Sequence, residues 1–198
     1  MTSRTLRSSL ALTAIALALA GCVSFGGKAP PQLLTITATQ SVTGGTSISG
    51  SQDNALIVLL PDAPRTIDTN RVPVQIDSSS VAYIKDAVWS DKPAAMMQSL
   101  LMETVAAKSG RLVLNEVDAG GRATQYLTGN LLEFGIDSAT NEAVVVYDAV
   151  LLNGTKAVRK QRFEAREPVV AVEAAPAGAG LNNAANKVAG AVADWVGN

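Results

Sequence analysis

The sequence predicts one α+β domain, in which two helices pack on one face of a mixed, largely antiparallel sheet. The first reason is an amphipathic segment at 92–109, whose apolar side chains recur every three to four residues. The second is a series of extended segments in the second half of the chain, separated by short polar turns. The third is an alanine-rich helical segment at 181–196. At 33–198 the domain is long enough to bury a core without a disulfide or a metal.

The first 21 residues predict a secretory signal peptide. Two arginines precede an apolar run at 10–19, and the small residues Ala20 and Gly21 follow it. A helix needs about 20 apolar residues to cross the hydrocarbon core of a bilayer. A permanent transmembrane anchor is therefore disfavoured.

The signal ends in Leu19-Ala20-Gly21-Cys22, which resembles the lipobox of bacterial lipoproteins. That resemblance implies a diacylglycerol on the Cys22 thiol, cleavage between Gly21 and Cys22, and acylation of the new amino group. The alternative is a buried or disulfide-bonded cysteine, but Cys22 is the only cysteine and no internal disulfide can form. Because Val23 rather than Asp follows, resemblance to sorted lipoproteins implies the periplasmic face of the outer membrane.

Charge and composition limit the partners that the mature chain can bind. Cleavage at Cys22 removes two of the 16 basic residues and none of the 17 acidic ones, which leaves 14 against 17. Nucleic-acid binding depends on clustered Lys and Arg that neutralise phosphates. We therefore expect no nucleic-acid partner.

The sequence also lacks the residues of several common active sites. It contains no histidine, so it has neither a Ser-His-Asp triad nor a common zinc site. Ser-x-x-Lys and Gly-x-x-x-x-Gly-Lys are absent too, so ATP hydrolysis must belong to another subunit. Carboxylate pairs at Asp86 and Asp91 or at Glu164 and Glu167 could support hydrolysis, but solvated surface charge is the favoured reading. We expect no enzyme activity, no metal and no cofactor beyond the acyl groups on Cys22.

In the first half of the mature chain, glycine and proline separate short extended segments. Residues 22–32 predict a tether between lipid and domain, and 39–54 a mobile loop rich in Gly, Ser and Thr. Strands are predicted at 33–37, 55–60 and 71–74. The segment at 55–60 should be covered on both faces or lie centrally, because it has no polar alternation. The segment at 71–74 should be an edge, because Pro73 lacks a donor.

In the second half, helix 92–109 should begin at an N-cap, Asp91, with Pro93 in its first turn, and should end at Gly110. Further strands are predicted at 112–117, 125–136, 143–152 and 157–166, the last two joined by a turn at Asn153-Gly154. The Ala-, Pro- and Gly-rich residues 167–180 predict a linker before the final helix, which is thin enough to approach a sheet closely.

The segment V-A-Y-I-K-D-A-V-W-S-D-K-P at 81–93 resembles the ABC-type transport auxiliary lipoprotein family, which includes the paraquat-inducible protein C type. The matching residues are Tyr83, Trp89, Asp91 and Pro93. Downstream, the Ser109-Gly110 pair, the paired long strands, Phe163 and the final helix also agree with that family.

The resemblance implies a periplasmic adaptor attached to the outer membrane. It would work beside an ABC permease, its ATPase and a mammalian-cell-entry (MCE) type protein that carries lipid between membranes. Two other functions stay open: a structural or assembly lipoprotein of another envelope machine, such as a pilotin, and direct lipid binding within the domain.

Two aromatic residues of the matching segment, Tyr83 and Trp89, have two interpretations. Large aromatic side chains anchor small cores, so both could fill the junction of strand and helix. Tyr and Trp are also enriched at interface hot spots, so both are candidates for partner contact. Core packing is the favoured reading.

Overall fold

The chain alternates extended and helical segments along its length. The computed structural model describes residues 32–51, 54–120, 125–154 and 157–197. Its strands are β1 (Leu56–Val58), β2 (Arg71–Asp77), β3 (Ser80–Val88), β4 (Val113–Leu114), β5 (Gln125–Asp137), β6 (Glu142–Asn153) and β7 (Ala157–Pro168), and its helices are α1 (Pro93–Ser109), α2 (Glu116–Ala119) and α3 (Ala174–Gly197). The α+β class with a mixed sheet is confirmed.

The sheet is organised around β5, which contacts three other strands. It pairs antiparallel with β6 along its length, and on its other side it pairs parallel with β1 near its start and with β2 near its end. β7 is antiparallel to β6, β3 is antiparallel to β2, and β4 is parallel to β1. The apolar run at 55–60 thus contains a fully buried internal strand, as predicted.

The expected edge at 71–74 is wrong, because β2 lies between β3 and β5. The ladder between β2 and β5 begins at Val74, which is in register with Ile136. It starts after Pro73, so the missing proline donor leaves that ladder intact.

The core lies between the sheet and the two long helices. The predicted apolar stripe of α1 is confirmed, since Met97, Leu100, Leu101 and Val105 are all buried. Trp89 is fully buried and meets Phe134 edge to face, with ring centroids 5.5 Å apart. Such aromatic pairs add about 0.5–1.5 kcal/mol beyond the area that they bury.

The ends of α1 match the expected signals with one correction. The N-cap is Lys92 rather than Asp91, and its side chain makes no cap hydrogen bond. Asp91 instead accepts from the Lys92 backbone N–H at 2.7 Å, one position before the cap. Pro93 begins the helix, and Gly110 ends it in the left-handed region at φ 65°, as predicted.

The linker expected at 167–180 is wrong, because β7 continues to Pro168 and α3 already begins at Ala174. The glycines in this part of α3 allow other residues to pack closely against the helix. A Cβ at Gly180 would stand 2.7 Å from Val169 Cγ1, and one at Gly178 would stand 2.9 Å from Leu34 Cδ2. Tertiary contact therefore decides the conformation against the low helix propensity of glycine.

Two predicted strands are shorter than expected. At 112–117 only Val113 and Leu114 are extended, because the Asn115 side chain accepts from the Asp118 N–H at 2.8 Å and caps the short helix α2. At 33–37 only Leu34 forms a bridge, with Trp89. Residues 39–51 form neither helix nor strand, as expected for the loop.

Residues 33–42, which we call the N-terminal strap, run along α3 and then reach α1. Asn186 accepts from the Thr39 N–H and donates to the Thr37 carbonyl, while Asn182 accepts from the Thr37 N–H. The Val42 N–H donates to Glu103 of α1 at 2.7 Å. The start of the region predicted as a mobile loop is therefore held on the helices.

We expect opposite effects from the same substitution at two glycines of α3. Gly180→Ala should lower the free energy of unfolding by about 1–3 kcal/mol, because the new methyl overpacks against Val169 and Ala143. Gly190→Ala should raise it by about 0.5–1 kcal/mol, since nothing lies within 4 Å and alanine favours the helix. Urea unfolding followed by circular dichroism measures both; equal effects would contradict the close approach.

Candidate interaction surface

The strands β5, β6 and β7 have one face turned away from α1 and α3. Side chains alternate between the faces of a strand, and Val145, Tyr147 and Ala149 of β6 belong to the helix-covered core. The intervening residues of β6 lie on the opposite side, which we call the helix-free face: Val144, Val146, Asp148, Val150 and Leu152.

Two valines on the helix-free face are buried although no helix covers them there. Val144 and Val146 are only 3% and 5% exposed. In the register of the sheet Val144 faces Arg166, and Val146 lies between Glu133 and Glu164. Long charged side chains can shield neighbouring apolar surface with their hydrocarbon parts while their charges stay in water.

Asp148 forms the centre of an ion cluster on this face. Its two carboxylate oxygens accept from Nε and Nη2 of Arg162 at 2.6 and 3.0 Å, and Lys160 Nζ is 3.3 Å away. Such bidentate charge-assisted pairs are stronger than neutral hydrogen bonds. The Arg162 hydrogen bonds hold the pKa of Asp148 at about 2, below its ordinary value of 3.8.

A second cluster surrounds Arg166 at the end of the same strands. Its Nε donates to Glu164 at 2.7 Å, and Nη1 is 3.4 Å from both Asp137 and Glu142. The Glu164 hydrogen bond is the main reason that the pKa of Arg166 is raised. The pKa of Asp137 is lowered, first by the backbone N–H of Ala139.

A cleft of about 290 Å³ opens beside Arg166 on the helix-free face. Its floor is apolar, with Pro73, Leu132 and Val144, while Glu133 and Asp137 add charge. Gly135 contributes no side chain there, and a Cβ at that position would lie 2.6 Å from the Pro73 carbonyl oxygen. This volume is near the lower limit of small-molecule sites. Its size and mixed lining suit a side chain of a protein partner.

The two aromatic candidates have different positions. Trp89 is fully buried, so partner contact by Trp89 is wrong and core packing is confirmed. Tyr83 is half-buried, its hydroxyl donates to the Thr66 carbonyl at 3.2 Å, and the Arg71 guanidinium lies 4.2 Å from its ring centroid. Since Thr66 lines the cleft, Tyr83 supports the wall of that cleft. Its contact with a partner stays a prediction.

The remaining sequence candidates carry no chemistry of their own here. Gly21 and Cys22 lie outside the described residues. Glu164 and Glu167, considered as a hydrolytic pair, are bound by Arg166 and Lys187 respectively. Among the residues that the structure describes, no group of three or more metal-ligating side chains comes together. Within the same residues, none of the helices has the length and apolarity needed to cross a bilayer.

The sequence did not point to Asp148, Arg162 and Arg166. One signal was present, because Asp148 is the only charged residue of a long apolar strand, V-V-V-Y-D-A-V-L-L. A lone carboxylate in such a strand needs a cationic partner. The alternating charges of 159–166 supplied candidates for that partner.

We expect Asp148→Asn to remove a pH dependence of stability. A carboxylate with a lowered pKa stabilises the fold above the unfolded value near 4, and loses that effect as the pH falls through about 2. The variant should lose about 1–2 kcal/mol at neutral pH, a modest value because Arg162 and Lys160 are more than half exposed. Between pH 4 and 2 its urea midpoint should change less than that of the wild type.

Glu133→Gln is the matched control for that measurement, because Glu133 is an exposed carboxylate on the same face. It should leave the acid dependence unchanged. An Asp148→Asn variant with the acid dependence of the wild type would contradict the assigned ion cluster.

Two solved structures share this fold. Protein XCC0632 from Xanthomonas campestris, of the DUF330 family, aligns with 83% of this chain and 94% of its own, at 18% identity and a TM-score of 0.67. A second structure, of an uncharacterized protein, aligns with 83% of this chain and 99% of its own, at 11% identity and a TM-score of 0.64. No curated protein sequence is significantly similar to this chain. At such identities the likeness shows the fold alone.

The sequence itself matches one family model over most of its length. That model describes the ABC-type transport auxiliary lipoprotein component and matches residues 35–193. The matched residues form nearly all the strands and helices of the domain, and they include those of the helix-free face and the cleft. The chain therefore belongs to the family of ABC-type transport auxiliary lipoprotein components.

Proposed function

We propose that this chain is a non-catalytic subunit of an ABC-type transporter, held at the periplasmic face of the outer membrane by acyl groups on Cys22. The observation that carries the proposal is the family match at 35–193, which begins 13 residues after Cys22 of the lipobox-like Leu19-Ala20-Gly21-Cys22. Two or three acyl chains hold a protein durably at a bilayer, whereas one does not. Val23 after the cysteine favours the outer membrane.

The transporter that best fits the family resemblance is one with an MCE-type protein, a permease and an ATPase, which move lipid between the two membranes. In this arrangement the chain binds the other subunits and helps to position them. The absence of histidine and of a phosphate-binding loop in the sequence supports that division of labour, because neither acyl transfer by a Ser-His-Asp triad nor ATP hydrolysis has its usual residues.

The helix-free face is the surface we assign to the partner. Its cleft accepts an apolar side chain, and the Arg166 cluster beside it offers both signs of charge. A small cleft of mixed lining beside charged groups resembles the anchor sites of protein interfaces, where one buried side chain supplies most of the affinity. Charges at the rim favour correct pairing over wrong partners.

The lipid anchor is tested by removing its attachment atom. Cells that express the wild type should incorporate an alkyne-tagged palmitate into the protein, and the protein should sediment with the outer membrane. A Cys22→Ala variant behind an ordinary cleavable signal peptide should be unlabelled and recovered in the periplasmic extract. Ser24→Ala is the control and should behave as the wild type. Label on the Cys22→Ala variant, or its retention in the outer membrane, would contradict the anchor.

The partner surface is tested by site-specific photo-crosslinking in whole cells. A photoreactive residue at Glu133, beside the cleft, should crosslink to a permease, ATPase or MCE-type chain that mass spectrometry identifies. The control position is Val117, which is 88% exposed on α2 and lies away from the cleft. Crosslinks from Val117 alone would place the interface elsewhere. Crosslinks from Glu133 to a different envelope machine would favour a structural or assembly lipoprotein.

A further inference from the structure

The N-terminal strap gives the direction from which the tether enters the domain. Leu34 packs against Gly178, Thr37 binds Asn182, and Thr39 binds Asn186. The strap therefore runs parallel to α3, in the direction from the N-terminal end of α3 toward the C-terminal end of α3. Followed backwards from Leu34, the chain leads toward the N-terminal end of α3.

The same end of the domain contains three connections that are bonded to one another. The Val169 N–H donates to the Asn141 carbonyl at 2.9 Å, which joins the segment before α3 to the turn between β5 and β6. The Ser138 N–H donates to the Gln75 carbonyl at 3.0 Å, which joins that turn to the last residues of β2. We call this region the strap end.

Large apolar side chains are exposed at the strap end and at the start of the strap. Val170 is 95% exposed, Leu33 is 56% exposed, and Ile76 is 49% exposed. Leu33 directly precedes the first anchored residue of the strap, while Ile76 and Val172 border one shallow cleft. These residues lie toward the end of α3 to which the strap leads when it is followed backwards from Thr39 to Leu34. Exposed large apolar residues on one side of a domain indicate a contact surface.

We propose that the strap end, through Ile76 and Val170, and the start of the strap, through Leu33, rest on the lipid headgroup region of the membrane that holds Cys22. This inference depends on the lipid anchor of the proposed function. Leu33 is 11 residues beyond Cys22, so even a fully extended chain separates them by no more than about 40 Å. A tether of that length gives the bilayer a high effective concentration at the strap end. A weak apolar contact is then enough to fix an orientation.

The charge of the strap end indicates whether its lipid partner is anionic or zwitterionic. The acidic residues there outnumber the basic ones in its turns and adjoining strand ends: Asp77, Asp137, Glu142 and Glu173 stand against Arg166, which binds Asp137 and Glu142, and Lys85, which borders the same shallow cleft as Glu173. An anionic bilayer would repel this rim within a Debye length of about 8 Å at physiological salt. The favoured occupant is therefore a zwitterionic phospholipid surface.

The opposite end of the domain then points into the periplasm. Gln125 at the start of β5 faces both Leu56 of β1 and Asn153 of β6, and Ala157 at the start of β7 pairs with Asn153. The start of β7 and β4, which leads into α2, therefore lie at the end away from the strap end. Val117 on α2 is thus an exposed valine at the far end, matched to Val170.

The single cysteine of the chain makes a labelling test direct. Once Cys22 is acylated, Val170→Cys supplies the only free thiol, and Val117→Cys supplies the matched control. Both side chains are almost fully exposed, so neither substitution disturbs the core. Each acylated protein is labelled with the fluorophore NBD, reconstituted into phosphatidylcholine vesicles and exposed to lipids that carry a doxyl quencher near the headgroup.

We expect the label at position 170 to show blue-shifted emission and at least threefold stronger quenching than the label at 117. Replacing a third of the phosphatidylcholine with phosphatidylglycerol should weaken that quenching, and high salt should restore it. Equal quenching at the two positions would overturn the inference. A blue shift at 170 without lipid quenching would also overturn it, because a second copy or another protein would then cover the site.

Vesicle flotation separates this inference from the anchor on which it depends. Protein that floats with the vesicles but is not quenched at 170 retains the anchor and overturns the membrane contact of the strap end. Protein that fails to float, although mass spectrometry finds Cys22 acylated, overturns both. Val170→Glu should float as well as the wild type, because the acyl chains supply the affinity. In combination with Leu33→Cys, it should reduce the quenching of NBD at position 33 at least twofold.

Discussion

The close packing of α3 on the sheet is the constraint on which the domain depends. Its buried residues are mostly alanine and glycine, so the helix axis approaches β6 and β7 more closely than leucine would permit. Gly178 leaves space for Leu34, and Gly180 leaves space for Val169. Both long helices thereby lie on one face. The other face remains available for polar chemistry and for partners.

That one-sided arrangement explains why the helix-free face is charged yet contains buried valines. A sheet face without helices must shield its apolar side chains with its own residues, and β7 places Arg166 and Glu164 opposite the buried Val144 and Val146 of β6. Asp148 is acceptable at the centre because Arg162 and Lys160 satisfy its carboxylate. The cleft opens beside the Arg166 cluster, where β2, β5 and the segment containing Thr66 and Ile67 meet.

Local sequence patterns predicted the elements that have strong periodicity. Helix α1 and strands β5 to β7 follow from apolar repeats and turn residues, and their ends differ from expectation by one or two residues. The supposed linker at 167–180 was misread because glycine and alanine favour both flexible chains and close helix packing. Only the tertiary neighbours of Gly178 and Gly180 distinguish these two uses.

The candidate surface was harder to predict because it depends on strand register. Asp148 and Arg162 are 14 residues apart, and they meet only because β6 and β7 pair them directly. A register shift of one residue would send each side chain to the other face. Alternating charge in β7 indicated a solvated face, but it did not indicate which basic residue meets the carboxylate. Trp89 could not be placed from its residue type alone, because tryptophan suits an interface as well as a core.

The arrangement of the N-terminal strap also determines how the domain carries mechanical load. A pull on the N-terminal end of the strap acts along the strap, and the strap lies alongside α3 with bonds at successive positions, Thr37 to Asn182 and Thr39 to Asn186. Force applied parallel to such a row is shared by its bonds in shear, whereas force across the row would open them one at a time. The geometry lets the domain resist a pull on its N-terminal strap while its sheet stays folded.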